Sequence, residues 1–277
     1  MKIIAEILKC VAFIGIRKPD DTMALFGTVF FIGLEGKDGK IFRTYCVTAK
    51  HVIDKIREKG DGTIYIRANL KQGTLQGASM SGTDWHFHPQ KESVDVAILP
   101  MAIPEVWDHL CLSMNHCITK AKIQENEIGI GEEVFITGLF RHHTGKNKNI
   151  PIVRVGNIAT MAEEKVNVNG FGLIDAYLAE VRSIGGLSGS PVFYNLGHSR
   201  IIKGAFVQST APIFYLMGLI HGHYDVTEEK IDELDVDAIK HENVNTGIAI
   251  VVPIGKVLEA INHCEVNFFK SAYKCEI

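Results

Sequence analysis

Short runs of β-branched and aromatic residues, each bounded by Gly, Asp, Asn or Lys, recur along most of this chain. A first series contains "GTVFFIG" (27–33), "FRTYCVTA" (42–49), "GTIYIRANL" (62–70) and "VDVAILPM" (94–101). A second contains "EEVFITGLF" (132–140), "PIVRVGNIAT" (151–160), "LIDAYLAEV" (173–181), "SPVFYN" (190–195), "IIKGAFVQST" (201–210), "IFYLMGLIHG" (213–222) and "NTGIAIVVP" (245–253). Many short strands with turn signals between them argue for an all-β sandwich or barrel. Helical periodicity appears in few places, among them "AKHVIDKIREKG" (49–60) and "PIGKVLEAINHC" (253–264). The second places Val257, Leu258 and Ile261 on one face, with Pro253 at its start, so a terminal helix should pack onto the β structure. The weakly periodic stretch 102–125 reads as the connection between the series, giving units of 1–118 and 119–277. The acidic stretch 224–245 carries apolar residues at helical spacing near Ile231, Leu234 and Ile239 and reads as a surface excursion interrupting a hairpin.

Composition excludes several function classes. Apolar residues at 46% and charged residues at 22% exclude disorder over the whole chain. A net charge of −3 offers no basic footprint for nucleic acid. The N-terminus "MKIIAEILKCVAFIGIRKPD" has its apolar run interrupted by Glu6 and Lys9, and reads as a first strand, "KCVAFIGIRK", after a few helical or irregular residues. No window reaches the length of a membrane span. The six cysteines include no CxxC pair and read as small buried hydrophobes. A cytoplasmic chain without membrane contact is expected.

The stretch "IGGLSGSPVF" (184–193) is chemically unusual, because Gly, Ser and Pro crowd together just before a strand-like run. A serine there becomes a nucleophile only if a neighbouring base takes its proton, and histidine is the usual base. A buried carboxylate would orient that histidine. "YCVTAKHVID" supplies His51 after an apolar strand, and "ESVDVAILP" supplies Asp95 at the head of a buried-looking run, where an unpaired acid would be costly. The order His51, Asp95, Ser188 excludes the α/β-hydrolase elbow, in which acid and histidine follow the serine.

These residues carry a resemblance. "TAKH", "DVAIL" and "GGLSGSPVF", in that order and at closely similar separations, resemble the motifs of the trypsin-like (chymotrypsin-fold) serine peptidases of bacterial type. The likeness extends through "GTVFFIG" and "VRVGNI" to "GIAIVVP". It implies an all-β fold of two six-stranded antiparallel Greek-key barrels with a C-terminal helix. It also implies His51 as general base, Asp95 as its orienting partner and Ser188 as nucleophile, with the N–H groups of Gly186 and Ser188 as oxyanion hole. Leu187 stands where digestive members carry an Asp, so packing rather than an ion pair should hold that loop. Similarity to glutamyl endopeptidases assigns Ser183 and His221 to binding an acidic or Gln side chain of the substrate, with Arg182 nearby.

The expected function is therefore a serine endopeptidase without cofactor, binding a polypeptide as an added strand near residues 218–223. No metal is expected, because "HFH" (86–88), "HH" (142–143) and "HGH" (221–223) show no ligand set with metal-site spacing. Two alternatives stay open: a silent peptidase-fold module that binds peptides or partner proteins, and an esterase on the same fold.

Overall fold

The computed structural model describes residues 5–168, 171–181, 186–232 and 235–273, with 225–245 and 268–273 given as backbone. A 3-10 segment, Ala5–Cys10, leads into the first sheet. That sheet contains β1 (Val11–Arg17), β2 (Met23–Glu35), β3 (Ile41–Thr48), β4 (Thr63–Asn69), β5 (Leu75–Ser81), β6 (His86–Phe87), β7 (Ala97–Pro100) and β8 (Leu112–Ser113). Helix α1 (Lys50–Lys59) sits between β3 and β4, and α2 (Lys120–Glu125) belongs to the connection. The second unit contains β9 (Glu133–Gly138), β10 (Ile152–Thr160), β11 (Lys165–Val168), β12 (Gly172–Asp175), β13 (Tyr177–Glu180), β14 (Pro191–Ile202), β15 (Ala205–Asp232) and β16 (Asp235–Pro253), followed by α3 (Ile254–Tyr273).

The strands follow the sequence signals for identifiable reasons. Residues 27–33 of β2 are continuously buried, as an uninterrupted apolar run requires. Along β4, burial alternates, with Ile64, Ile66 and Ala68 inward. Helix α1 buries Val52, Ile53 and Ile56, carries Arg57 and Lys59 in its last turn, and ends where Gly60 N–H donates to the Ile56 carbonyl. Helix α3 buries Val257, Ala260 and Ile261. It packs back on the first sheet, where Arg43 pairs with Glu265 at 3.0 Å and His88 meets Glu259 at 3.0 Å.

The second unit closes as a six-stranded barrel in the order β10-β13-β16-β15-β14-β9. The first does not match the expected six strands. Its path runs β5-β4-β1-β2-β3-β7-β6, with β8 parallel to β2. The ends of that path, β5 and β6, are chain neighbours linked by the turn Gly82–Asp84, and among the described residues no ladder joins them. The strands that depart from the expectation, β6 and β8, are two residues long, too short to show a period of two.

Three further expectations change. The stretch 201–210 is not one strand, because Lys203 and Gly204 take φ of +51° and +76° and turn the chain between β14 and β15. The stretch 173–181 divides at Ala176 into β12, which pairs with β11, and β13, which joins the barrel. Among the described residues the acidic excursion is not helical, and Leu234 lies outside them. Strands β15 and β16 continue through it, with Val226 opposite Val244 and Ile231 opposite Ile239. A ladder already running in the barrel extends through β-branched residues more readily than a weak helical period can compete.

Most buried apolar residues form one cluster spanning both units. Buried Asn149 adds a polar seam, its side-chain oxygen taking a bond from Arg67 at 2.6 Å and its N–H donating to Asn69 at 2.6 Å. Cys10, Cys46, Cys111, Cys117 and Cys264 carry free thiols, and burial pushes that of Cys117 up to about 12. Among the described residues no helix is long and apolar enough to cross a membrane.

Candidate active site

Asp95 lies in the loop immediately before β7, and its side chain is wholly buried between the first sheet and the start of α1. The first turn of a helix leaves N–H groups without intrahelical acceptors. One of these, the His51 N–H, donates to Asp95 Oδ1 at 2.8 Å. The His51 ring meets the other oxygen, Nδ1 to Oδ2, at 2.7 Å. From β15 a second imidazole reaches the same atom, His221 Nδ1 to Oδ2, at 2.5 Å. Burial alone would raise the carboxyl pKa, but the adjacent His51 charge and the hydrogen bonds from both rings hold it well below the usual range. An ionised carboxylate only accepts, so each ring presents Nδ1–H to it. Nε2 of His51 is then the nitrogen left to take a proton.

The serine stretch is fixed through its backbone. Ser188 carbonyl accepts from the Thr28 N–H at 3.0 Å, Gly189 N–H donates to the Ile220 carbonyl at 2.8 Å, and Ser190 N–H to that of Leu187 at 2.8 Å. Leu187 is fully buried. Gly189 has φ of +80°, and a Cβ there would lie 2.2 Å from Thr48 Oγ1 and 2.4 Å from the Thr28 carbonyl. No other residue fits that position. Gly186 also takes a left-handed φ of +110°, and its carbonyl accepts from Thr28 Oγ1 at 3.3 Å. Among the described residues, the N–H groups of Gly186 and Ser188 donate to no acceptor.

Four residues from distant parts of the chain meet here. His221 is the common neighbour: its ring lies 5.2 Å from that of His51, edge to face, and its carbonyl accepts from Ser188 Oγ at 3.4 Å. Ser188 Oγ is bonded to that carbonyl rather than to the His51 ring. Ser183 and Arg182, expected at the substrate side chain, lie outside the described residues. His221, expected in the same role, has its Nδ1 on Asp95 and its ring against Phe171 at 5.2 Å.

Sequence reasoning missed three things. His221 on the carboxylate had one signal, an ionisable ring ending the apolar run "MGLIHG", but nothing indicated which group it would meet. Thr28 stitches the site together, since its Oγ1 also takes bonds from the Leu139 N–H at 2.9 Å and Ser190 Oγ at 3.0 Å. Only its polarity inside "GTVFFIG" hinted at this. The spacing test for metal ligands was equally blind to His51, Asp95 and His221, whose donor atoms all lie within 4.8 Å of one another.

A mostly antiparallel N-terminal sheet with His51 and Asp95 at its strand ends, joined to a closed barrel with Ser188 beside β14, and a helix closing the chain, make a chymotrypsin-like fold. Among solved structures, human heparin binding protein is similar to this chain with a TM-score of 0.50 and 11% identity, over 95% of this chain and 94% of that one. The MamO protease domain from Magnetospirillum magneticum, in its apo form, aligns with a TM-score of 0.49 and 14% identity, over 92% and 96%. At such identities the likeness concerns the fold alone. No protein-family model and no curated protein sequence matches the chain.

Proposed function

We propose that the chain is a serine endopeptidase in which His51, Asp95 and Ser188 hydrolyse peptide bonds through an acyl-enzyme. The observation that carries this reading is the double attachment of His51 to the buried Asp95, at 2.8 and 2.7 Å. It fixes the tautomer in which Nε2 can accept a proton, as general-base catalysis requires. Ser188 Oγ attacks the peptide carbonyl carbon while its proton passes to His51 Nε2. The oxyanion formed is met by the N–H groups of Gly186 and Ser188, each such donor being worth about 2.7–4 kcal/mol of barrier. Collapse expels the amine with the proton from His51, and water then cleaves the ester by the reverse sequence of roles.

In this reading Ser188 Oγ exchanges its contact with the His221 carbonyl for one with His51 Nε2. Catalytic hydrogen bonds commonly tighten only when substrate is bound. A polypeptide substrate would lie along β15, where the ladder with β14 stops at the pair Pro191–Leu219, short of His221. The contact from Ser188 to the His221 carbonyl also favours a second reading, a silent module that holds a peptide on the same edge without cleaving it. A fluorophosphonate probe separates the two. Labelling lost in Ser188→Ala supports the peptidase, while an unlabelled native chain that still retains peptides supports the module. Parallel ester and peptide assays then decide which bond is cleaved.

A further inference from the structure

We propose that His51 Nδ1, His221 Nδ1 and Asp95 Oδ2 form a site for a divalent metal ion of the zinc class, and that its binding forces His51 into the tautomer that cannot act as a base. The second half of this inference bears on function only through the reading of His51 given above, whereas the binding site stands on its own geometry.

Orienting one histidine needs one carboxylate contact, and the second imidazole on the same oxygen is surplus to that task. The three donor atoms lie within 4.8 Å of one another, and among the described residues no other cluster of three such side chains occurs. Two imidazoles and one carboxylate are a donor set suited to Zn²⁺, with a fourth position left for water. Zn–N and Zn–O bonds of about 2.0–2.2 Å place ligand atoms ~3.3 Å apart in a tetrahedron. Each ring backs away from Oδ2 by ~0.6–0.8 Å from its present 2.7 and 2.5 Å, and the two Nδ1 atoms, now within 4.8 Å of each other, take up the same ~3.3 Å spacing. Asp95 keeps its orientation during this change, because Oδ1 is held separately by the His51 N–H. Such outer contacts fix a metal-binding carboxylate in place. The route in passes the His51 ring, whose side chain is 34% exposed, whereas that of His221 is 13% exposed.

The step balances without redox chemistry. In each neutral ring the proton on Nδ1 moves through solvent to Nε2. The freed Nδ1 lone pair then bonds the metal and displaces one of its waters. His51 Nε2 thereby gains a proton and loses the lone pair that would accept from Ser188. Metal and catalysis compete for opposite tautomers of one ring, the metal needing the Nδ1 lone pair and the base the Nε2 lone pair.

The test uses the full chain carrying Ser188→Ala, so that its outcome does not depend on hydrolysis. Co²⁺ is titrated against visible absorption and Zn²⁺ by calorimetry, with histidine tautomers read from ¹⁵N NMR. One equivalent should bind, with the intense bands of low-coordinate Co²⁺, and the His51 signals should move to those of the Nε2–H tautomer. Adding His221→Gln or His51→Gln should each weaken binding by more than about 100-fold, beyond the 10–100-fold typical of outer contacts alone. His142→Gln with His143→Gln should leave it unchanged. The proposal is overturned by the absence of a stoichiometric site, by affinity unaffected in His221→Gln with the fold intact by circular dichroism, or by a His51 tautomer that Zn²⁺ does not move. In the native chain, Zn²⁺ should suppress fluorophosphonate labelling and EDTA restore it. A native chain that never labels, but binds Co²⁺ through both rings, overturns the peptidase reading and leaves the metal site standing.

Discussion

His51 and Asp95, on the first sheet, are joined side chain to side chain and side chain to backbone, at 2.7 and 2.8 Å. Ser188, on the second unit, is tied through its carbonyl and its neighbours' N–H groups, while its hydroxyl has a single 3.4 Å contact. The first arrangement determines a protonation state, because it decides which nitrogen carries the proton. The second determines a backbone shape and leaves the hydroxyl with one long contact. In the peptidase reading, acid–base chemistry is thus prepared before substrate arrives, and the nucleophile completes its alignment afterwards.

The sharpest way to break this contrast is to remove either side of it. Ser188→Ala and His51→Ala should each lower kcat on a peptide substrate by about a millionfold, since such groups act as one unit. Activity undiminished in either variant would remove that residue from the chemistry. Asp95→Asn should cost about 10⁴-fold in kcat, because the amide disturbs the tautomer without vacating the space. Asp95 also gives the comparison a pH signature. Its pKa is depressed in the fold, so its stabilising contribution is complete above its unfolded value near 3.9 and is lost as pH falls toward the folded value. The difference in Tm between native chain and Asp95→Asn should therefore be constant near neutrality and narrow below about pH 4. A difference unchanged at low pH would mean that the charge of Asp95 is not what the two rings hold.

Backbone restraint on the nucleophile side is tested at Gly189. Gly189→Ala places a methyl group against Thr48 Oγ1 and the Thr28 carbonyl at a left-handed φ. Overpacking and backbone strain together should cost about 2–5 kcal/mol in a denaturant melt. Gly222→Ala is the matched control, since a Cβ there meets nothing within 4 Å. Similar losses in both would show that the serine loop is no more tightly seated than the strand beside it.

What could be read from the sequence divides along the same line. The tight turn at Ser188, the buried acid Asp95 and the terminal helix were legible because each depends on local features: turn glycines around Ser188, an acid heading an apolar run, and Val257 and Ile261 one helical turn apart. The turn at Lys203–Gly204 and the two-residue strands β6 and β8 were not, because their signal is shorter than one period. The excursion after Tyr224 misled because its apolar spacing fits a helix in isolation, while the neighbouring ladder imposes a strand. The meeting of His221 with Asp95 was out of reach for a different reason. Ring and carboxylate come from separate units, and their contact depends on how a barrel and a sheet dock.

Thr28 is where the two units exchange restraint, and it carries the smallest expected effect. Its hydroxyl takes bonds from Leu139 N–H and Ser190 Oγ and gives one to the Gly186 carbonyl, all in a fully buried setting. Thr28→Val keeps the shape and removes the hydroxyl. It leaves the Leu139 N–H and the Ser190 hydroxyl without that acceptor, at a cost of about 1–3 kcal/mol. Because the Gly186 carbonyl loses its tether as well, the loop at Gly186–Ser188 should loosen and, in the peptidase reading, kcat should fall more than KM rises. Ser190→Ala removes one of those contacts and no buried N–H partner, so it should cost less, about 0.5–1.5 kcal/mol. If the order of the two variants were reversed, the loop would be held through Ser190 rather than Thr28, and the tie between the units would have to be sought in the backbone bond from Thr28 N–H to the Ser188 carbonyl.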